Sequence, residues 1–287
     1  MYKCLAPHAI GVAADDLDQT LALACAAGFA GLELSITDVA DFIERVGLDI
    51  VRQKFVDANV RPAAFGLPVE WRKDDDRWRA DLASLPRLAK TAQSLGVTRT
   101  ATWVLPMSNE RALDENIQFH IERFTPIAKT LADHGIRLGL EFIGPKTLRD
   151  TQKHPFIWRM HDMLDLAKRI APNVGLLVDV WHLYTSHGAN DDLRKLEADD
   201  VVYVHVNDAP PAIAVDEQLD NVRDLPGATG VIDIAGFLRT LSEIGYDGPV
   251  TPEPFKKELK DLPSDETRVK IVGKAMDDIF AKAGLAR

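Results

Sequence analysis

Short apolar runs alternate with amphipathic stretches along the chain, and the alternation predicts its architecture. Ala9–Val12, Gly31–Leu34, Arg61–Gly66 and Val97–Val104 read as strands in the first half. Runs that end at Leu140, Val178, Val204 and Pro252 read as strands in the second. Each is brief and almost wholly apolar, the pattern of a parallel strand covered on both faces. Between them the spacing predicts helices over Leu17–Ala27, Trp78–Leu95 and Asp114–His134, closed by Gly28, Gly96 and Gly135, with two more helical segments between Val39 and Ala58. Ile157–Ile170, Asp191–Glu197, Ile234–Ile244 and Glu266–Ala283 continue the series. Pro126 is expected to kink its helix or mark the helix's true start.

Eight strand–helix units with no linker close most naturally into one α/β (β/α)8 barrel domain spanning residues 1–287. An open doubly wound sheet is the alternative. It would normally carry a glycine-rich phosphate turn after an early strand, and Gly11-Val12-Ala13-Ala14-Asp15 is not one.

Composition narrows the function classes. The chain has 287 residues, 46% hydrophobic and 27% charged, enough for a large core without disulfide staples. Its formal net charge of −10 argues against nucleic acid as a partner, because phosphate binding rests on a surplus of Lys and Arg. Cys4 and Cys25 form no CxxC pair and are expected to be free, buried thiols of a reducing compartment. No run approaches the roughly 18 apolar residues of a membrane span, and Met1–His8 lacks the apolar core of a signal peptide. These readings predict a cytoplasmic protein without membrane contacts; homo-oligomers stay open.

The candidate chemistry lies at the carboxyl ends of predicted strands five to eight, where barrel active sites are built. Glu141, Asp179, His205 and Glu253 each follow one of the four apolar runs. A charge there is costly unless it is paired or coordinates something. Three carboxylates and an imidazole form a hard donor set, suited to one divalent ion, Mn, Mg or Co ahead of Zn. Bland roles compete at each position. Asp179 could cap the following helix, His205 could be hydrogen-bonded in the core, and Glu253, between Pro252 and Pro254, could be a structural ion pair. Arg223 lies in a long loop from Asn207 to Val231, where it could bind a substrate oxygen or pair with nearby carboxylates. Trp103 and Phe65, at strand ends, could wall a sugar face or pack in the core. Asp74–Asp76 reads as a solvated loop, and His120, His134, His154 and His161 as solvated or helix-terminal histidines.

Together, LEFIG, VDVWH, VHVND, RxxPG and TPEPF, between Glu141 and Phe255, resemble the xylose isomerase-like barrel superfamily, in particular its sugar isomerase and epimerase branch. That resemblance implies that Glu141, Asp179, His205 and Glu253 bind one divalent metal and that His182 and Arg223 contact substrate oxygens. It implies a carbohydrate substrate. The turn after the arginine, Pro226-Gly227-Ala228-Thr229-Gly230, is one residue longer than the branch's common PGxG. A DNA-repair barrel would need more histidines and a basic surface than this chain offers. A metal at such a site polarises a ketone and acidifies the neighbouring C–H, so Glu141 and Glu253, from different strands, are expected to be the catalytic acid–base pair of an isomerase or epimerase acting on an unphosphorylated keto-sugar or inosose. A lyase that expels a β-substituent from the same enediolate is the alternative.

Overall fold

A computed structural model describes residues 1–13 and 16–285, so Ala14 and Asp15 of the first predicted turn, and the last two residues of the predicted domain, lie outside the described residues. Eight parallel strands close into a barrel: β1 (Tyr2–Leu5), β2 (Gly31–Leu34), β3 (Arg61–Gly66), β4 (Arg99–Val104), β5 (Arg137–Phe142), β6 (Val174–Asp179), β7 (Val201–Val206) and β8 (Pro249–Pro252). Each strand pairs with the next in sequence, and closure sets Tyr2 of β1 opposite Pro249 of β8. The longer helices of the outer ring are α1 (Leu17–Ala26), α2 (Ile36–Val46), α3 (Leu48–Ala58), α4 (Asp75–Ser94), α5 (Leu113–Ala132), α6 (Met160–Ile170), α7 (Val180–Thr185), α8 (Ile234–Glu243) and α9 (Asp265–Lys282). No helix among the described residues is long and apolar enough to cross a membrane.

Side-chain alternation sorts the strands. Leu138, Leu140 and Phe142 of β5 belong to the large core shared with the helices, whereas Ala64, Ala101, Leu177 and Tyr203 form a small separate cluster inside the barrel. Above that cluster the interior becomes polar. Tyr203 Oη donates to Glu33 Oε2 at 2.7 Å and lies 2.7 Å from Thr251 Oγ1.

Several expectations are corrected. The first strand is Tyr2–Leu5, and Ala9 and Ile10 of the predicted Ala9–Val12 strand belong to a 3-10 turn, Pro7–Ile10, closed by Gly11 at φ +70°. Pro7 fixes its own φ and has no N–H to give a ladder, which favours the turn. The true strand was hidden by Lys3, whose ammonium pairs with Asp277 and lies 5.6 Å from the Phe29 ring centroid. The Asp74–Asp76 run is a helix start: Asp74 accepts from Arg77 N at 2.9 Å, and α4 begins at Asp75. Pro126 lies inside an uninterrupted α5, and the Asp191–Glu197 helix shrinks to Asn190–Leu193. Cys4 is buried, as expected, but Cys25 is exposed. His120 is buried on α5, its ring 4.8 Å from that of Phe156 and 5.1 Å from that of Trp71.

Candidate metal centre

Four strand ends deliver the predicted ligands to one place. Glu141 lies in β5, Asp179 ends β6, His205 lies in β7, and Glu253 directly follows β8. Asp179 and His205 stand opposite each other in register, and Thr251, two residues before Glu253, pairs with His205. In a strand, residues two apart share a face, so this register aims all four side chains inward. One donor atom from each lies within 4.8 Å of the other three.

The donor set fits a divalent cation. Ligands about 2.1 Å from one ion stand roughly 3 to 4.2 Å from one another. His205 Nδ1 lies 3.4 Å from Glu253 Oε2 and 3.7 Å from Glu141 Oε1. Glu141 Oε1 and both ring nitrogens of His205 are buried with no hydrogen-bond partner. Buried polar atoms are seldom left so, and an ion held among them would satisfy Glu141 Oε1 and one of the two ring nitrogens of His205.

The electrostatics of the protein alone show how much charge is gathered here. Burial pushes the Glu141 carboxyl up, and the charges of Glu253 and Asp179 add to that rise. Burial also acts to raise Glu253, but His205 and Arg223 together hold its carboxyl below the ordinary range. Burial pulls His205 down, yet Glu253 and Glu141 hold it well above its ordinary value. His182 is pushed down to about 3, by burial first and then by the Arg223 charge, so its imidazole is neutral.

The two residues expected to meet substrate also converge here. His182 follows Asp179 by three positions on α7, and Arg223 reaches in from the long loop. Asp179 does cap α7, accepting from Trp181 N at 2.7 Å through Oδ1, so the bland role holds on a carboxylate that also stands in the candidate cluster. Arg223, its side chain 2% exposed, donates through Nη1 to Asp179 Oδ2 at 2.7 Å and Glu253 Oε2 at 3.0 Å. Its Nη2 donates to Asp220 Oδ1 at 3.0 Å and lies 3.1 Å from His182 Nε2. The other ring nitrogen, Nδ1, accepts from Gly144 N at 3.2 Å.

Three supporting residues escaped the sequence reading. Asn207 donates to both oxygens of Asp179, at 3.1 and 3.3 Å. Asp220 anchors Arg223, and its spacing of three residues was the available signal. Asp208 organises the loop by accepting from the backbone of Ala209, Thr229, Gly230 and Ile232, which fixes the lengthened turn. Gly227 and Gly230 stand at φ +73° and +70°, the left-handed region that this turn needs. Of the two aromatic candidates, Phe65 is core and Trp103 is 44% exposed.

Residues 21–277 match the family described as xylose isomerase-like TIM barrel. The chain is 24% identical to the inosose isomerase of Bacillus velezensis over 260 residues, covering 88% of each. It is 26% identical to the 3-dehydroshikimate dehydratase of Pseudomonas putida over 255 residues, covering 86% of this chain but 37% of that one. Among solved structures, a xylose isomerase domain protein of Alicyclobacillus acidocaldarius superposes with a TM-score of 0.87 at 31% identity, covering 99% of both chains. The IolI protein, solved with a bound zinc atom, shares the fold at a TM-score of 0.79 and 19% identity over 99% of both. The chain therefore belongs to the xylose isomerase-like TIM-barrel family.

Proposed function

We propose that this chain is a divalent-metal-dependent isomerase or epimerase of an unphosphorylated keto-sugar or inosose. The observation that carries the reading is the cluster of Glu141, Asp179, His205 and Glu253, whose buried unpartnered atoms call for an ion inside a barrel of this family. Glu141, Asp179, His205 and Glu253 would hold the cation, which would supply Lewis acidity towards a substrate carbonyl and so acidify the adjacent C–H. Glu141 and Glu253 stand on strands three places apart around the barrel, so they approach the space between them from different directions. One removes the proton from carbon and the other returns it.

His182 and Arg223 orient the substrate. Two donors, Gly144 N–H and the Arg223 guanidinium, point at the two nitrogens of His182, whereas a neutral imidazole has one acceptor and one donor. One contact must yield, and a substrate hydroxyl between His182 and Arg223 would satisfy both. Burial in a closed network fixes these directions before substrate arrives.

A lyase is the second reading, favoured by the similarity to a named dehydratase. It shares proton abstraction and differs in expelling a β-substituent. The test is a panel of ketoses, inososes and β-substituted cyclic ketones, incubated with metal-loaded protein in D2O. Deuterium entering a rearranged product supports the isomerase, and an unsaturated product supports the lyase. Absence of exchange from every ketone, with stoichiometric metal bound, overturns both.

A further inference from the structure

The barrel interior holds one more carboxylate that the site described above does not use. Glu33 lies on β2 between Leu32 and Leu34, both in the core shared with the helices, so alternation turns its side chain inward. Its Oε2 accepts from Tyr203 Oη at 2.7 Å. Tyr203 precedes His205 by two residues on β7, and the two rings stand 5.0 Å apart. The same phenol oxygen lies 2.7 Å from Thr251 Oγ1, two residues before Glu253. Glu33 is thereby tied to the layer of side chains just beneath His205 and Glu253. It is not sealed there: its side chain is 11% exposed, and Oε1 lies 3.7 Å from Nδ1 of His8. His8 stands in the turn after β1, at the carboxyl ends of the strands, with its side chain 67% exposed. In the ring of eight strands β2 is opposite β6, so Glu33 faces the wall that carries Asp179 and its partner Arg223.

What Glu33 lacks is donors. A carboxylate offers about four acceptor sites, and Tyr203 takes one of them. The 3.7 Å to His8 is too long for a hydrogen bond. Among the described residues no lysine or arginine lies within ion-pair distance of Glu33. A largely buried carboxylate with so few partners is costly, and the donors that can still reach Oε1 come from the mouth. A prop for Tyr203 would need only the oxygen that meets it. The two walls of the mouth are complementary in kind. His182 and Arg223 present N–H donors on one side, and Glu33 presents free acceptor sites on the other. Neighbouring hydroxyls on a ring supply paired O–H donors for such a carboxylate, and hydrogen bonds to an ionised acceptor are the strong ones.

We propose that Glu33, oriented by Tyr203 on the wall opposite Asp179, is a specificity-determining residue that accepts hydrogen bonds from a vicinal diol on the substrate edge remote from its carbonyl. This rests on the reading that a hydroxyketone reacts between Glu141 and Glu253, and it narrows the substrate class to ring hydroxyketones that carry such a diol. Tyr203 fixes the direction of the carboxylate from below, and the hydroxyls approach Oε1 from the side of His8.

The experiment is calorimetric binding to the metal-loaded protein of two matched cyclic 2-hydroxyketones, one with a vicinal diol on the edge remote from the carbonyl and one without it. The diol should bind about tenfold to a hundredfold more tightly to the wild type, the scale of hydrogen bonds to a charged group. Glu33→Leu should bring that ratio close to one. Glu33→Gln, which keeps an oxygen for Tyr203, should retain part of it. Equal affinities in the wild type overturn the proposal even if no variant folds. A prop for Tyr203 alone would weaken both ketones together, so an unchanged ratio in a folded Glu33→Leu protein overturns it too. Proton exchange in D2O is read in parallel. If neither ketone exchanges, the isomerase reading falls while the binding ratio still decides the role of Glu33. If both exchange and bind equally, only the diol subsite is lost.

Discussion

Arg223 and Asp179 form the most deeply buried ion pair around the site, and the network makes a quantitative prediction for the metal-stripped protein. Asp179→Asn keeps the shape of the side chain and its ability to cap α7, since Asn and Asp cap equally well. It removes the charge that meets Arg223 at 2.7 Å, where the two side chains are 2% and 0% exposed. Breaking one side of a buried pair costs about 3–5 kcal/mol. Arg223 keeps Glu253 and Asp220, each at 3.0 Å, so the loss should lie at the lower end, about 3 kcal/mol. Arg223→Met strips three carboxylates of their shared cation and should cost more, about 4 kcal/mol.

The double variant separates the pair from its surroundings. With Arg223 already absent, Asp179→Asn removes a carboxylate that has no cation and lies near two others, so the second change should cost little. The double variant should then lose about 4–5 kcal/mol instead of the additive 7, a coupling of about 2–3 kcal/mol. Urea unfolding in the presence of chelator, with equal slopes for the four proteins, measures it. Additivity within about 0.5 kcal/mol would refute the claim that Arg223 is the internal counter-charge of these ligands.

Glu141→Gln and Glu253→Gln should each lower turnover by about 10²-fold or more while some metal remains bound; one variant should still exchange the substrate proton in D2O without forming product, and near wild-type rates in both would place the proton carriers elsewhere. Adding Mn to stripped wild type at about a hundred times its dissociation constant should stabilise it by roughly 2.7 kcal/mol, a rise in Tm on the order of 5–10 °C; His205→Ala should lose most of that rise, and an undiminished rise in scanning calorimetry would exclude His205 as a ligand. Burial pushes His120 down to about 4, so the folded protein binds fewer protons there than the unfolded chain, whose histidine titrates near 6.5. Its contribution is complete above about pH 6.5, is lost as pH falls towards 4, and amounts to about 3 kcal/mol; a His120→Phe variant should show a correspondingly flatter stability–pH curve in that window, and identical slopes would contradict it.

The four clustered residues were legible because a charge at the end of a buried strand breaks an otherwise apolar pattern, and four such breaks occurred at consecutive strands. Burial fixes the register of those strands, so sequence position alone carried Glu141, Asp179, His205 and Glu253 into one place. Tyr2–Leu5 was illegible for the opposite reason: Lys3 leaves the core through a salt bridge to Asp277, a partner 274 residues away that no local window contains. His120 was readable in principle. Asn116, His120, Phe124, Ile127 and Leu131 recur at helical spacing on the buried face of α5, and the periodicity should have outweighed the residue's polarity.

Arg223 marks where such reading stops. Its two sequence-level options, a substrate contact or a pair with carboxylates, were posed as alternatives. The guanidinium adopts the second towards Asp179 and Glu253, 44 and 30 residues away, and the same group faces His182, where a substrate oxygen would enter. A planar fork with five donors can neutralise two carboxylates along one edge and present another to a ligand. The two roles therefore describe different edges of one side chain, a distinction set by loop geometry. That geometry depends on Asp208 gathering backbone amides from both ends of a segment of more than twenty residues, with Asn207 steadying Asp179 from the adjacent position. Such contacts leave no periodic trace, because they serve neither a strand nor a helix. In this barrel the four candidate ligands follow from regular structure, while the arginine that would orient a substrate follows from an irregular loop whose path only three-dimensional packing determines.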